Sequence, residues 1–113
     1  MKVVYIAHPL NAATDEERER NRANAARWCA WAAMVEGVAP VADWVVLSGV
    51  LSEEQGRERG LIIDCALIER CDEVWLTGGR ISPGMGVELE HALACGKTVR
   101  DITHMGYEAP ACE

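Results

Sequence analysis

Short apolar runs alternate with longer amphipathic stretches along this chain, and glycine or proline marks most of the joints. Residues 2–7, K-V-V-Y-I-A, read as a buried first strand, and the H-P-L-N that follows opens a loop at its carboxyl end. In residues 15–36, Ala23, Ala26, Ala30, Ala33 and Met34 recur at helical spacing. They predict a long helix whose alanine face lies close to a sheet, ended by Gly37. Residues 38–42 read as a short strand, where Pro40 suits an edge or strand end. Residues 43–52 fit either a strand, D-W-V-V-L, or a helical turn and a loop; the second is preferred. Ser52 before E-E-Q reads as a helix cap with acids in the first turn. That helix runs to Arg70, with Gly60 as a candidate break. Cys71-Asp72 is a turn, and residues 73–77 are a third strand. Ser82 and Pro83 open the last long helix, serine at the cap and proline at the first helical position. Gly96 stops it, and residues 97–102 form a fourth strand.

The resulting order, β-α-β-α-β-α-β, predicts a three-layer α/β, Rossmann-like (flavodoxin-like) domain with a parallel sheet of four or five strands. Right-handed crossovers favour the strand order 2-1-3-4, with a crevice at the carboxyl ends of strands 1 and 3. The domain spans residues 1–102. Residues 103–113 are left as a tail, either loose or folded as an arm against a partner subunit.

With 113 residues the chain is one small domain. It has no phenylalanine, so Trp28, Trp31, Trp44 and Trp75 supply much of the aromatic packing. Trp28 and Trp31 lie three residues apart on one helix; exposed, such a pair would need covering by another subunit. A homodimer or higher homo-oligomer is therefore expected. The net charge of -7 argues against a nucleic-acid polymer as partner, because duplex binding needs a basic field. Five cysteines, an odd number with no Cys-x-x-Cys, fit a reducing, cytoplasmic setting. No stretch approaches membrane-spanning length, so no membrane partner is expected.

The chemistry concentrates between Asp64 and Glu88. Asp64 sits inside the apolar run L-I-I-D-C-A-L-I, where a charge needs a partner such as Arg59 or Arg80, or a function. Glu88 follows the Ser82 cap in S-P-G-M-G-V-E, and Gly79, Gly84 and Gly86 clear the approach to that helix start. The helix dipole is expected to lower the Glu88 pKa, which suits a nucleophile. Asp64, in apolar surroundings, is expected to be raised and to hold a proton. Tyr5 on strand 1 can pack its ring while its hydroxyl reaches the crevice. His8, Trp44, Ser82, Gly84, Met85 and Gly86 are the candidate substrate-binding residues around it. His91 and His104 have no ligand motif in sequence, so neither a metal nor a cofactor is expected.

On these residues the chain resembles the nucleoside 2-deoxyribosyltransferase-like superfamily, including the 2'-deoxynucleoside 5'-phosphate N-hydrolases. The segments carrying the resemblance are V-Y-I-A-H-P-L, D-C-A-L-I-E-R-C-D-E-V-W-L and I-S-P-G-M-G-V-E-L-E-H-A-L-A-C-G-K-T-V, within residues 3–101. The resemblance implies that Glu88 attacks the sugar's anomeric carbon and Asp64 assists departure of the base. It further implies that Tyr5 hydrogen-bonds near the nucleophile, that Ser82 contacts phosphate or sugar, and that subunits complete each other's sites. The implied activity is cleavage of an N-glycosidic bond of a nucleoside or nucleotide through a glycosyl-Glu88 intermediate, ending in hydrolysis or base transfer. Two carboxylates about 5 Å apart would fit this retaining course. The chain departs from the pattern at His8, where the family often has glycine, and in the loop of residues 11–17, which lacks the usual arginine or serine run. These departures motivate the alternative, a nucleotide-binding or sequestering protein without turnover.

Overall fold

The computed structural model describes residues 1–112. Four strands, β1 (Val3–Ala7), β2 (Ala39–Val41), β3 (Glu73–Leu76) and β4 (Thr98–Asp101), form one sheet in the order β2-β1-β3-β4. Every pairing is parallel, with Tyr5 opposite Val41 on one side and Val74 on the other. Four helices connect them: α1 (Asp15–Met34), α2 (Asp43–Leu47), α3 (Glu53–Ile68) and α4 (Pro83–Ala94). The expected three-layer α/β architecture and strand order are both found.

Side chains alternate along β1 because successive residues of a strand face opposite ways. Val4 and Ile6 join Trp28, Trp31 and Ala32 of α1, with Trp75 of β3, in one core cluster. Tyr5 and Ala7 join Ile68 of α3 and Met85 and Ala92 of α4 in the other. The sheet is thus covered by α1 on one face and by α3 and α4 on the other.

The buried face of α1 is not the alanine stripe. Asn24, Ala25, Trp28, Trp31 and Ala32 are buried, whereas Ala26, Ala30 and Met34 are exposed. The two indoles decide the orientation, since each removes roughly 200 Å² from water and a methyl far less. Trp28 and Trp31 meet edge to face with ring centroids 5.4 Å apart. Trp28 is 0% and Trp31 6% exposed within the single chain, so the pair gives no reason to invoke a covering subunit. Trp75 is covered by the Arg100 guanidinium, 4.6 Å from its ring centre, which Glu36 holds at 2.7 Å.

The helix starts follow their caps. Thr14 accepts from the Glu17 amide at the start of α1. Ser52 and Gln55 exchange reciprocal bonds at the start of α3. Residues 43–52 do form a short helix and a turn. The candidate break at Gly60 is absent: α3 runs through Gly56 and Gly60 without interruption.

Part of the segment after β4 packs on its own chain. A 3-10 turn at Thr103–Met105 returns it to α1 of its own chain. There the Tyr107 carbonyl accepts from Asn24 Nδ2 at 2.7 Å and Trp28 Nε1 at 2.9 Å. The Tyr107 hydroxyl donates to Asn21 at 2.8 Å, and Arg20 lies over its ring. Asn24 is buried at what pattern would reserve for an apolar residue, because this carbonyl and His8 satisfy it.

Gly78, just past β3, has φ +88°, and a Cβ there would lie 2.7 Å from both His8 Cδ2 and Pro9 Cδ. Gly78→Ala is therefore expected to lose about 3 kcal/mol of stability through backbone strain and a clash with rigid neighbours. Urea unfolding measures this; a loss below about 1 kcal/mol would mean that the β1 and β3 loops are not locked together.

Candidate active site

The carboxyl ends of β1, β2 and β3 open into a cavity of about 320 Å³, walled by α2, α3 and the start of α4. That is the low end of small-ligand pockets. Gly56 and Gly60 line it one turn apart on α3, and a Cβ at either would meet nothing within 4 Å. Their missing side chains keep that wall open, which accounts for two glycines inside a continuous helix.

Glu88 and Asp64 both line this cavity and are both buried. Tyr5, fully buried on β1, donates its hydroxyl to Glu88 Oε2 at 2.5 Å. Burial first, then the Glu88 and Asp64 charges, raise the Tyr5 pKa, so the phenol stays a donor. Tyr5 does not itself line the cavity. It acts from behind, fixing one oxygen of Glu88.

Asp64 forms no ion pair with Arg59 or Arg80. Its carboxyl is within hydrogen-bonding reach of Glu88 and Asp43, and its Oδ1 is buried without a partner. Burial, then the charges of Glu88 and Asp43, push its pKa up to about 9. The proton expected on Asp64 is thus favoured by desolvation and by like charge together.

Glu88 departs from expectation. Its pKa is raised, chiefly by burial and further by the Asp43 charge, against the lowering effect of the bonds from Tyr5 and Asp64. Pro83 opens α4, so Glu88 lies beyond the first turn, where the dipole has faded. The amide of Met85 is already bonded to Ser82 Oγ at 3.3 Å. Hydrogen bonds from Tyr5 and Asp64, rather than the helix end, are what favour the ionised form of Glu88 against its burial.

The other candidates divide. Trp44, Ser82, Gly84 and Met85 line the cavity. Trp44 is fixed by a bond from Nε1 to the Ile6 carbonyl at 3.3 Å. Gly86 does not line it. His8 does, but Nδ1 donates to the Pro9 carbonyl at 2.6 Å and Nε2 accepts from Asn24 at 2.8 Å. Desolvation, and then the Arg80 charge, lower its pKa to about 4. His8 is a neutral ring stacked 6.2 Å from Trp44, with no nitrogen free for a ligand.

Asp43 and Arg18 line the cavity without a role from the sequence reading, and Arg80, considered there only as a partner for Asp64, lines it too. Asp43 opens α2, lines the cavity beside Asp64, and has a buried Oδ1 with no partner. Arg18 bonds the Ser48 carbonyl at 3.2 Å through Nη1, while its buried Nε is unpartnered. Arg80 lies beyond β3, in the G-G-R turn. The only sequence signal for Asp43 was its position just after a strand, at the crevice end.

Residues 2–102 match the family described as a domain of unknown function, DUF7768. The chain belongs to that family. The DUF7768 match spans β1 to β4 and every residue of the cavity. Among curated proteins none matches the chain.

Proposed function

We propose that the protein cleaves the N-glycosidic bond of a nucleoside or nucleotide by attack of Glu88 on the sugar's anomeric carbon. The observation carrying this reading is the pair of unlike carboxyls at one cavity: Glu88 gripped by the Tyr5 hydroxyl, and Asp64 with its pKa near 9 beside it. One is poised as nucleophile and the other as acid. The superfamily resemblance of the same residues supports it.

In the first step a Glu88 oxygen bonds to C1' while the C1'–N bond breaks. The bonding pair goes to the base nitrogen, and Asp64 supplies the proton. In the second step water, or an acceptor base, attacks C1'. The bond to Glu88 breaks, the carboxylate is restored, and Asp64 regains a proton from the attacking group. Water gives hydrolysis and a base gives transfer. Trp44, Leu47 and Met85 offer an apolar wall for the base. The unpartnered Asp43 oxygen suits a sugar hydroxyl, and Arg18 and Arg80 suit a 5'-phosphate. Five free cysteines fit a reducing compartment, so this reading sets the reaction in the cytoplasm.

A panel of nucleosides, deoxynucleosides and their 5'-monophosphates, with and without an acceptor base, tests this by chromatography of released base. At least one member should release or exchange its base. Saturable binding with no release from any member would instead support a sequestering protein, and neither binding nor release would reject both.

A further inference from the structure

Outside the cavity lining, the seam between α3 and α4 carries a second convergence of reactive side chains. His91 Nε2 lies 2.8 Å from Glu69 Oε2 and 3.6 Å from Cys95 Sγ. The three atoms lie within 4.8 Å of one another, the only such set of three metal-ligating groups among the described residues. A single ring nitrogen therefore faces a carboxylate and a sulfur at once. One proton on that nitrogen can be shared between them only by a bent, bifurcated bond, whereas a metal ion in its place would be bound by all three.

The spacing suits such an ion. Tetrahedral zinc, with bonds of about 2.0–2.1 Å to nitrogen and about 2.3 Å to sulfur, needs an N···S edge of about 3.6 Å. The His91–Cys95 separation is 3.6 Å. The N···O edge would be about 3.3 Å, so Glu69 need yield only about half an ångström. It is free to do so, being half exposed. His91 and Cys95 are four residues apart on α4, on the same helix face. Glu69 ends α3 and Cys95 ends α4, so the ion would lie where the carbonyl ends of two helices favour positive charge. A further thiol, Cys65, lies one turn before Glu69 on α3. Imidazole and thiolate together select the zinc class over magnesium or calcium.

We propose that Glu69, His91 and Cys95 bind one divalent transition-metal ion of the zinc class, with the fourth position open to water. The ion would clip the end of α3 to α4. Those helices also carry Asp64 and Glu88, so the clip would help fix the spacing of the carboxyl pair. The inference stands apart from the functional reading, because its test needs no activity.

The test uses the full chain after chelator treatment, titrated with Zn²⁺ by calorimetry and with Co²⁺ by absorption. The expected result is one ion per chain, with the visible bands of tetrahedral cobalt and a near-ultraviolet thiolate-to-cobalt band. Saturating Zn²⁺ should raise the melting temperature by several degrees. Cys95→Ser should lose the thiolate band, and His91→Ala should lower Zn²⁺ affinity at least tenfold. The metal-free Cys95→Ser variant should melt like the metal-free parent, since Cys95 is exposed. No saturable binding would overturn the proposal. So would binding undiminished in the His91→Ala, Cys95→Ser double variant, which would assign the ion to another thiol such as Cys112.

Discussion

Glu88→Ala is expected to lower base release by at least about 10⁴-fold, because it removes the group proposed to bond to C1'. Alanine also strips the Tyr5 hydroxyl of its acceptor, which costs about 1–3 kcal/mol for a buried donor. Glu88→Gln separates the two effects. Its amide oxygen still accepts from Tyr5, so the chain should fold and bind substrate with little change while turnover is lost. Glutamine also removes one of the charges acting on Asp64. The Asp64 pKa should then fall below its present value of about 9, which carbon-detected NMR titration can follow. Turnover within tenfold of the parent in either variant would remove Glu88 from the chemistry.

Asp64→Asn is expected to have opposite effects on activity and stability. Without the proton donor, base departure should slow by about 10²–10⁴-fold, most for poor leaving groups. An activated leaving group should restore Asp64→Asn but not Glu88→Ala; equal rescue of both would mean the roles are wrongly divided. The parent's rate should fall at high pH as Asp64 loses its proton near pH 9. It should also fall at low pH as Glu88 gains one, above the ordinary carboxylate range. These limbs belong to the interacting pair rather than to either residue alone. Asparagine should abolish the alkaline limb.

The stability effect follows from the same raised pKa. Between the ordinary value of 3.8 and about 9, Asp64 is protonated when folded and ionised when unfolded. The folded chain then holds the extra proton, so this stabilising contribution is present at acid pH and lost as pH rises through that window. Asp64→Asn cannot ionise, and at pH 8 it should be more stable than the parent by about 2 kcal/mol, roughly 10 °C in melting temperature. The gain should shrink toward pH 4. Thermal melts at the two pH values check it, and a variant less stable at both would show that Asp64 is held by structure rather than for chemistry.

What the sequence made legible was whatever a local pattern encodes. Ser52 and Ser82 marked helix starts through chemistry that spans only three residues. The short apolar runs marked a parallel sheet, and the crossover rule then left few strand orders. Asp64 stood out because a charge interrupts an apolar run. The face of α1 misled, because alanine counted as apolar while buried Asn24 counted as polar. Its burial depends on the Tyr107 carbonyl and His8, both distant in sequence. The Glu88 pKa misled because cap position suggested a dipole effect, whereas burial and the Asp43 charge act through tertiary structure. Asp43 itself lay in an ambiguous stretch with no motif. The Glu69–His91–Cys95 group was invisible for a similar reason: its members come from two helices, and only the seam brings them together.

The most direct measurement of the central claim is mass spectrometry of the protein, acid-quenched during turnover of an activated nucleoside or nucleotide substrate and then digested. The account predicts a sugar mass added to the peptide containing Glu88, mapped to Glu88, that disappears when an acceptor base or time is allowed before quenching. Base release with Glu88 never modified, and with the adduct on another residue or on none, would contradict it.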